Sequence, residues 1–295
     1  FRSQCSKEYG SSSLPLGTFI MISAIQKQEN GTIQLTITVP AADVKKTREA
    51  IVAQYAQAAQ VPGFRKGKAP KKLVEERIDN QKVDEELLKT ILPAYYSEAL
   101  KEHKLQPVIN PRVHIEAFVD GKDLQFIAET CEAPEVKLGN YKDEIKKITA
   151  KGKIVVPGKE PEQISFDQII GALLKATTMK VPAIIVEQET QRLLSQTLDE
   201  VKKLGLTLEQ YLSSTGKTSE DLKREYEKKA ENDIKIEFAL QKVGDTENLA
   251  VEQKEIDEAI AKAKDDTERK SLQANSYLLA NILRQQKTLD FLRNL

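Results

Sequence analysis

A chain of 295 residues has room for about two ordinary domains. Its 45 basic and 45 acidic side chains cancel, which excludes a protein that coats nucleic acid along its whole length and leaves only a local patch for such contact. With 31% charged residues, 40% apolar residues, no Trp and a mean hydropathy of -0.46, the composition describes a surface-rich soluble protein rather than one large globule. No apolar run reaches the ~18 residues of a membrane span, so no membrane partner is expected. Cys5 and Cys131 are too few for a disulfide framework and form no CxxC motif. His103 and His114 lack a helical metal-ligand spacing. The expectation is a cytoplasmic protein with no metal and no cofactor.

Residues 1–20 read as an extension or expression remnant ahead of a natural start at Met21. The alternative is an export signal, with Arg2 and Lys7 before the apolar stretch 14–22, but Pro15, Gly17 and Thr18 interrupt that stretch. Thr32–Val39 alternates polar and apolar residues, the pattern of a half-buried strand, and Asn30-Gly31 ahead of it predicts a hairpin with a strand near 21–28. Asp43 is placed to cap a helix carrying Val44, Ile51, Tyr55 and Ala58 on one face. A second helix is predicted over about 82–104 with Val83, Leu87, Ile91 and Tyr95 inward, kinked or restarted at Pro93. Val113, Ile115, Ala117 and Val119 then alternate up to Asp120-Gly121, and Leu124, Phe126 and Ala128 alternate back as a second hairpin. Two hairpins with two to three helices make an α+β domain over 21–138.

The breakers Pro134, Gly139, Gly152, Pro157, Gly158 and Pro161, with the charge run 142–147, mark 139–163 as a linker with at most one strand or arm. From 164 to 295 only Pro182 and four glycines occur, and the expectation is an elongated all-α domain. Ser165-Phe-Asp-Gln168 and Thr207-Leu-Glu-Gln210 are capping boxes, while Gly205, Gly216 and Gly244 fall where helices should stop. Helices are predicted at about 165–178, 183–204, 208–214, 219–243, 252–264 and 267–293.

One segment carries specific chemical information. In Val61-Pro-Gly-Phe-Arg-Lys-Gly-Lys-Ala-Pro70, Gly63 and Gly67 open backbone angles closed to other residues, and Pro62 and Pro70 stiffen the edges. Phe64, Arg65 and Lys66 are forced to a tip; with Lys68, Lys71 and Lys72, five of the eight residues from 65 to 72 are basic. Pro70 can open a further short helix, leaving first-turn amides free for an anion. An Arg fork and lysines suit phosphate oxygens, and the aromatic suits a base or an apolar groove. A charge run alone is usually solvated surface; solubility, however, requires none of this paired-glycine, paired-proline geometry.

Gly63-Phe-Arg-Lys-Gly-Lys-Ala-Pro70 resembles the ribosome-docking loop of trigger factor, the bacterial chaperone at the nascent-chain exit. Glu135-Val-Lys-Leu138 with Tyr141, Val181-Pro182, Gly205–Leu212, Thr218–Leu222 and Glu255–Ile260 continue the likeness, which spans about 21–295. The resemblance implies that Gly63, Phe64, Arg65, Lys66, Gly67, Lys68, Pro70, Lys71 and Lys72 dock on the large ribosomal subunit near the exit tunnel, against a ribosomal protein and RNA phosphates. It implies that the helical domain cradles unfolded nascent chains, with client-facing candidates Leu193, Leu194, Leu198, Tyr211, Phe238, Leu278, Leu279, Ile282 and Phe291. At helical spacing such residues are more often core. Weak self-association is compatible with the family.

Trigger factors usually insert an FKBP-like prolyl isomerase domain after the segment equivalent to 135–150. Here Ala150 and Ser165 are too close for the ~50 residues of even a small domain. The expectation is therefore a holdase without enzymatic activity. Two alternatives stand beside it: a prolyl isomerase of the full-length type, and an exported periplasmic chaperone. No GxxxxGKS/T loop occurs, so no nucleotide cycle is expected. A client segment burying ~400 Å² of apolar surface would gain roughly 10 kcal/mol gross at ~25 cal/mol per Å², and association costs of about 4–15 kcal/mol offset most of it. The result is weak, promiscuous holding.

Overall fold

The computed structural model describes residues 22–58, 80–152, 165–263 and 265–295. The chain divides into two compact units, residues 1–133 and 134–295.

The first unit carries an antiparallel four-stranded sheet in the order β1-β2-β4-β3, built from two hairpins. Strand β1 (Ile22–Lys27) pairs with β2 (Ile33–Val39), and β3 (Arg112–Ala117) with β4 (Leu124–Thr130). Gly31 and Gly121 take φ of 83° and 75°, the left-handed backbone that both hairpin turns require. Ile33, Leu35, Ile37 and Val39 of β2, with Leu124, Phe126 and Ala128 of β4, are buried as the period-2 pattern predicts. Helices α1 (Ala41–Ala58) and α2 (Asn80–Glu102) cover that face through Ile51, Val83, Leu87, Ile91, Tyr95 and Ala99. Burying each large apolar side chain stabilises the unit by roughly 1.5–3 kcal/mol.

Three expectations change here. Asp43 does not cap α1: the Ala41 amide donates to Asp123 Oδ1 (2.8 Å) from the β3–β4 turn, and Asp43 Oδ2 instead accepts from the Tyr95 hydroxyl (2.7 Å). Helix α2 runs through Pro93 without a restart, because Ile91, Tyr95, Tyr96 and Ala99 all share the buried face and outweigh one lost amide bond. Val113, Ile115 and Val119 are not buried like the matching residues of β4; β3 is an edge strand, and its register shifts between Ile115 and Ala117.

The boundary falls after Ala133 rather than after Leu138. The reason is that β5 (Lys137–Leu138) pairs with β6 (Thr177–Thr178) of the helical unit. The stretch expected as a linker instead carries helix α3 (Tyr141–Gly152), and 153–163 lie outside the described residues. Its charge run conceals an i, i+4 pattern: Tyr141, Ile145 and Thr149 are buried, with the charged side chains of 142–144 and 146–147 on the other faces. Then follow α4 (Phe166–Ala176), α5 (Ala183–Lys203), α6 (Leu208–Thr215) and α7 (Ser219–Thr246). The last three are α8 (Gln253–Ala261), α9 (Asp266–Ala274) and α10 (Ser276–Arg293). Tyr141, Ile145, Ile169, Leu173, Leu240, Val243 and Leu292 form the core of this unit.

Both predicted capping boxes form, at Ser165/Gln168 and Thr207/Gln210. Gly205 and Gly216 end their helices in the left-handed region, at φ 73° and 64°. Gly244 does not end one: it is buried inside α7, where a Cβ would meet Thr288 Oγ1 at 3.2 Å and Arg284 Nε at 3.3 Å, so its role is close approach to α10. The single helix expected over 267–293 is two, broken at Asn275, whose side-chain amide donates to the Ser271 carbonyl (2.9 Å) and competes with the helical ladder.

Candidate functional site

The loop residues Gly63, Phe64, Arg65, Lys66, Gly67, Lys68, Pro70, Lys71 and Lys72 lie outside the described residues. What the structure places are the two helices that flank them in sequence. Helix α1 leads into the loop and α2 follows it. Across the pair, Arg48 Nη1 donates to Asp84 Oδ1 (2.8 Å), and Arg48 Nη2 makes a longer bond to Asn80 Oδ1 (3.4 Å).

In the helical unit α5 and α7 pack side by side, with the Thr197 and Tyr226 hydroxyls 2.6 Å apart. Ile184, Ile185, Leu193 and Val201 of α5 are buried, as are Leu222, Ala230 and Ile234 of α7. Leu193 is therefore core and not client-facing: its position on α5 turns it inward with Ile185 and Val201. Phe291 is half-buried and packs against the cluster around Leu240 and Leu292. Leu194, Leu198, Tyr211, Phe238 and Leu279 are half-buried. Of the client-facing candidates, Leu278 (58% exposed) and Ile282 (52%) stand in solvent; they lie one turn apart on α10, next to exposed Tyr277.

Residue-by-residue reading missed the turn after α5. Leu204 is 75% exposed, and Leu206 and Leu208 project beside it. Their exposure is built in. The Leu206 amide donates to the Val201 carbonyl (3.1 Å) and the Gly205 amide to the Lys202 carbonyl (3.0 Å), closing a left-handed glycine cap. On the far side the Thr207 capping box fixes α6. Three leucines at alternate positions around a glycine were the available signal.

Electrostatics in this unit serve packing. Glu247, at the end of α7, accepts from Lys142 Nζ and from the Tyr141 hydroxyl, both at 2.7 Å. Lys142, and then Tyr141, hold its carboxyl below the usual carboxylate range, while burial, and then the bond to Glu247, pushes the Tyr141 hydroxyl up. In the first unit burial pushes the Cys131 thiol up to about 12, with Glu132 adding to the shift, so that thiol is inert.

Among the described residues, His103 has a serine hydroxyl beside it. Ser23 Oγ donates to Glu102 Oε2 (2.6 Å) and lies 2.8 Å from His103 Nε2. The acid contacts the serine rather than the imidazole, so the hydroxyl proton is already directed at a carboxylate and the group is not a nucleophile relay. It ties edge strand β1 to the end of α2. His114 is exposed on β3. Among the described residues, no three His, Cys, Asp or Glu side chains converge as a metal site, and no helix is long and apolar enough to cross a membrane.

Comparison with known proteins matches this organisation. The model of bacterial trigger factor protein covers residues 21–162, and that of the trigger factor C-terminus covers 159–294. The chain is 40% identical over 122 residues to the trigger factor of Bacillus cytotoxicus, a match spanning 41% of this chain and 29% of that protein. Against the trigger factor of Staphylococcus epidermidis it is 37% identical over 122 residues, 41% of this chain and 28% of the relative. These alignments cover less than a third of the relatives' length. A solved trigger factor chaperone, described for promiscuous substrate recognition in folding and assembly, superposes with a TM-score of 0.59 at 12% identity. That match covers 92% of this chain and 99% of the other, and it establishes the fold. The chain belongs to the bacterial trigger factor family, a family of chaperones.

Proposed function

We propose that this chain is an ATP-independent holdase that docks at the ribosomal exit tunnel in the cytoplasm and shields emerging polypeptides, with no isomerase activity of its own. One observation carries the reading. The Gly63–Pro70 motif sits within the matched N-terminal region, in one chain with a helical unit whose leucines are held in solvent by a closed helix cap.

The client surface in this reading is the Leu204, Leu206, Leu208 turn together with Tyr277, Leu278 and Ile282 of α10. The half-buried candidates Leu194, Leu198, Tyr211, Phe238 and Leu279 play a lesser part. For the isomerase, the N- and C-terminal family regions abut at 159–162, leaving no span between them for the ~50 residues of an added domain.

Ribosome co-sedimentation is the direct test. Wild type should pellet with large subunits, and the triple replacement Phe64→Ala, Arg65→Ala, Lys66→Ala should not. If about 3 phosphates are neutralised, a fourfold rise in salt should weaken binding roughly 10- to 60-fold. Equal pelleting of both proteins overturns the docking reading. A tetrapeptide isomerisation assay should stay at background, and clear turnover would favour the isomerase reading instead.

A further inference from the structure

We propose that edge strand β3 is a self-pairing surface, to which a second copy of this chain adds antiparallel through the segment Arg112–Glu116. The contact is independent of the docking reading. Strand β3 closes one side of the sheet, and among the described residues it pairs with β4 alone. An edge presents a row of backbone N–H and carbonyl groups ready for another strand, and folded chains blunt it with charges or bulges. Both devices are present on β3, in an arrangement that one partner satisfies.

The run Arg112-Val-His-Ile-Glu116 is its own antiparallel complement. With a two-fold axis at His114, Arg112 of each copy stands opposite Glu116 of the other. Val113 meets Ile115 twice, and His114 meets itself. All five side chains are exposed. Val113 keeps 39% and Ile115 36% of its surface in solvent, although both share the helix-covered side with Ala128 and Phe126. Arg112 and His114 lie on the open face, across from Glu129 and Ile127 of β4. Opposite charges and aliphatic pairs set directly across two strands stabilise their pairing, and like charges there oppose it.

The ladder is bounded at both ends. Pro111 has no amide hydrogen, and the register shift between Ile115 and Ala117 bends the strand. A register slid by two residues puts Glu116 opposite Asn110 or Arg112 opposite Phe118, so both charge pairs are lost. The other edge, β1, carries one charged side chain, Lys27, which lies 3.7 Å from Glu132, and it has no such register. An isologous contact consumes the β3 edge and closes at two chains. Five residues bury little area, so the dimer is weak.

The test is sedimentation of the full chain at low salt from about 5 to about 500 µM, with thermal melts alongside. Wild type should pass from monomer to dimer across that range. Arg112→Glu and Glu116→Arg should each raise the dissociation constant about tenfold or more, since each sets two like-charge pairs across the axis. An equimolar mixture of the two variants should dimerise within about threefold of wild type, because each chain then supplies the charges the other lacks. Mild oxidation in a Cys5→Ser background should link His114→Cys to its own copy. Arg112→Cys should not link, because it lies ~13 Å from its copy in this register.

A wild type that stays monomeric throughout, single reversals that dimerise normally, or a mixture no better than its components overturns the proposal. So does linkage at position 112 as readily as at 114. Where a reversal lowers the melting temperature, the mixture decides, since its chains carry the same cost as the unmixed variants.

Discussion

Glu247 shows how much a single carboxylate can organise. It gathers the Tyr141 hydroxyl and the Lys142 ammonium at the end of α7, and so ties the first turn of α3 to the core of the helical unit. Lys142 also lies 6.0 Å from the rings of Tyr141 and Phe291. Because the Glu247 carboxyl is held below its ordinary value, its share of stability is present above the unfolded carboxylate value of about 4.3 and is lost as pH falls through the lower folded value. Lys142→Met keeps the apolar stem but removes the charge. It should cost about 0.5–1 kcal/mol at pH 7, a gap that narrows as pH falls below the ordinary carboxylate range, as measured by denaturant titration at neutral and acid pH.

Among the elements, the short ribbon β5–β6 matters more than its length suggests. It pairs Lys137 with Thr178 and Leu138 with Thr177, so the chain leaves the ribbon into α3 and returns to it from α4. Gly139 makes the return possible. Its amide donates to the Ala176 carbonyl (2.9 Å), and a Cβ at this position would lie 2.7 Å from that same backbone oxygen. No side chain can move aside there. Gly139→Ala should therefore destabilise the helical unit by about 2 kcal/mol or more, seen as a lower urea midpoint with unchanged slope. Ala at the open glycine Gly171, with nothing near its Cβ position, should instead be neutral or mildly stabilising.

For the whole molecule, the decisive fact is that each unit owns a core. The first centres on Leu35, Ile37, Phe126 and Leu87, and the second on Ile145, Ile169, Leu173 and Leu292. A unit with its own buried cluster can fold alone. Residues 21–133 and 134–295, expressed separately, should each melt cooperatively and show helix content by circular dichroism in line with the intact chain. A non-cooperative melt of either fragment would contradict this division.

Much of this architecture was readable in local chemistry. Period-2 alternation at 32–39 and 124–128, turn glycines at 31 and 121, and capping boxes at 165 and 207 each state a backbone preference within a few residues. The Gly63–Pro70 motif, proposed above to dock, belongs to the same kind, since its signal lies in spacing along the chain. What depended on three-dimensional packing was whatever is set by a distant partner. Helix α3 hides under a charge run until α4 and α10 cover its apolar side, Gly244 serves close approach to α10, and Leu193 is core because α7 lies against it. Exposed Leu204 and buried Leu193 share one chemistry and differ only in what stands opposite, which spacing along a single helix does not encode.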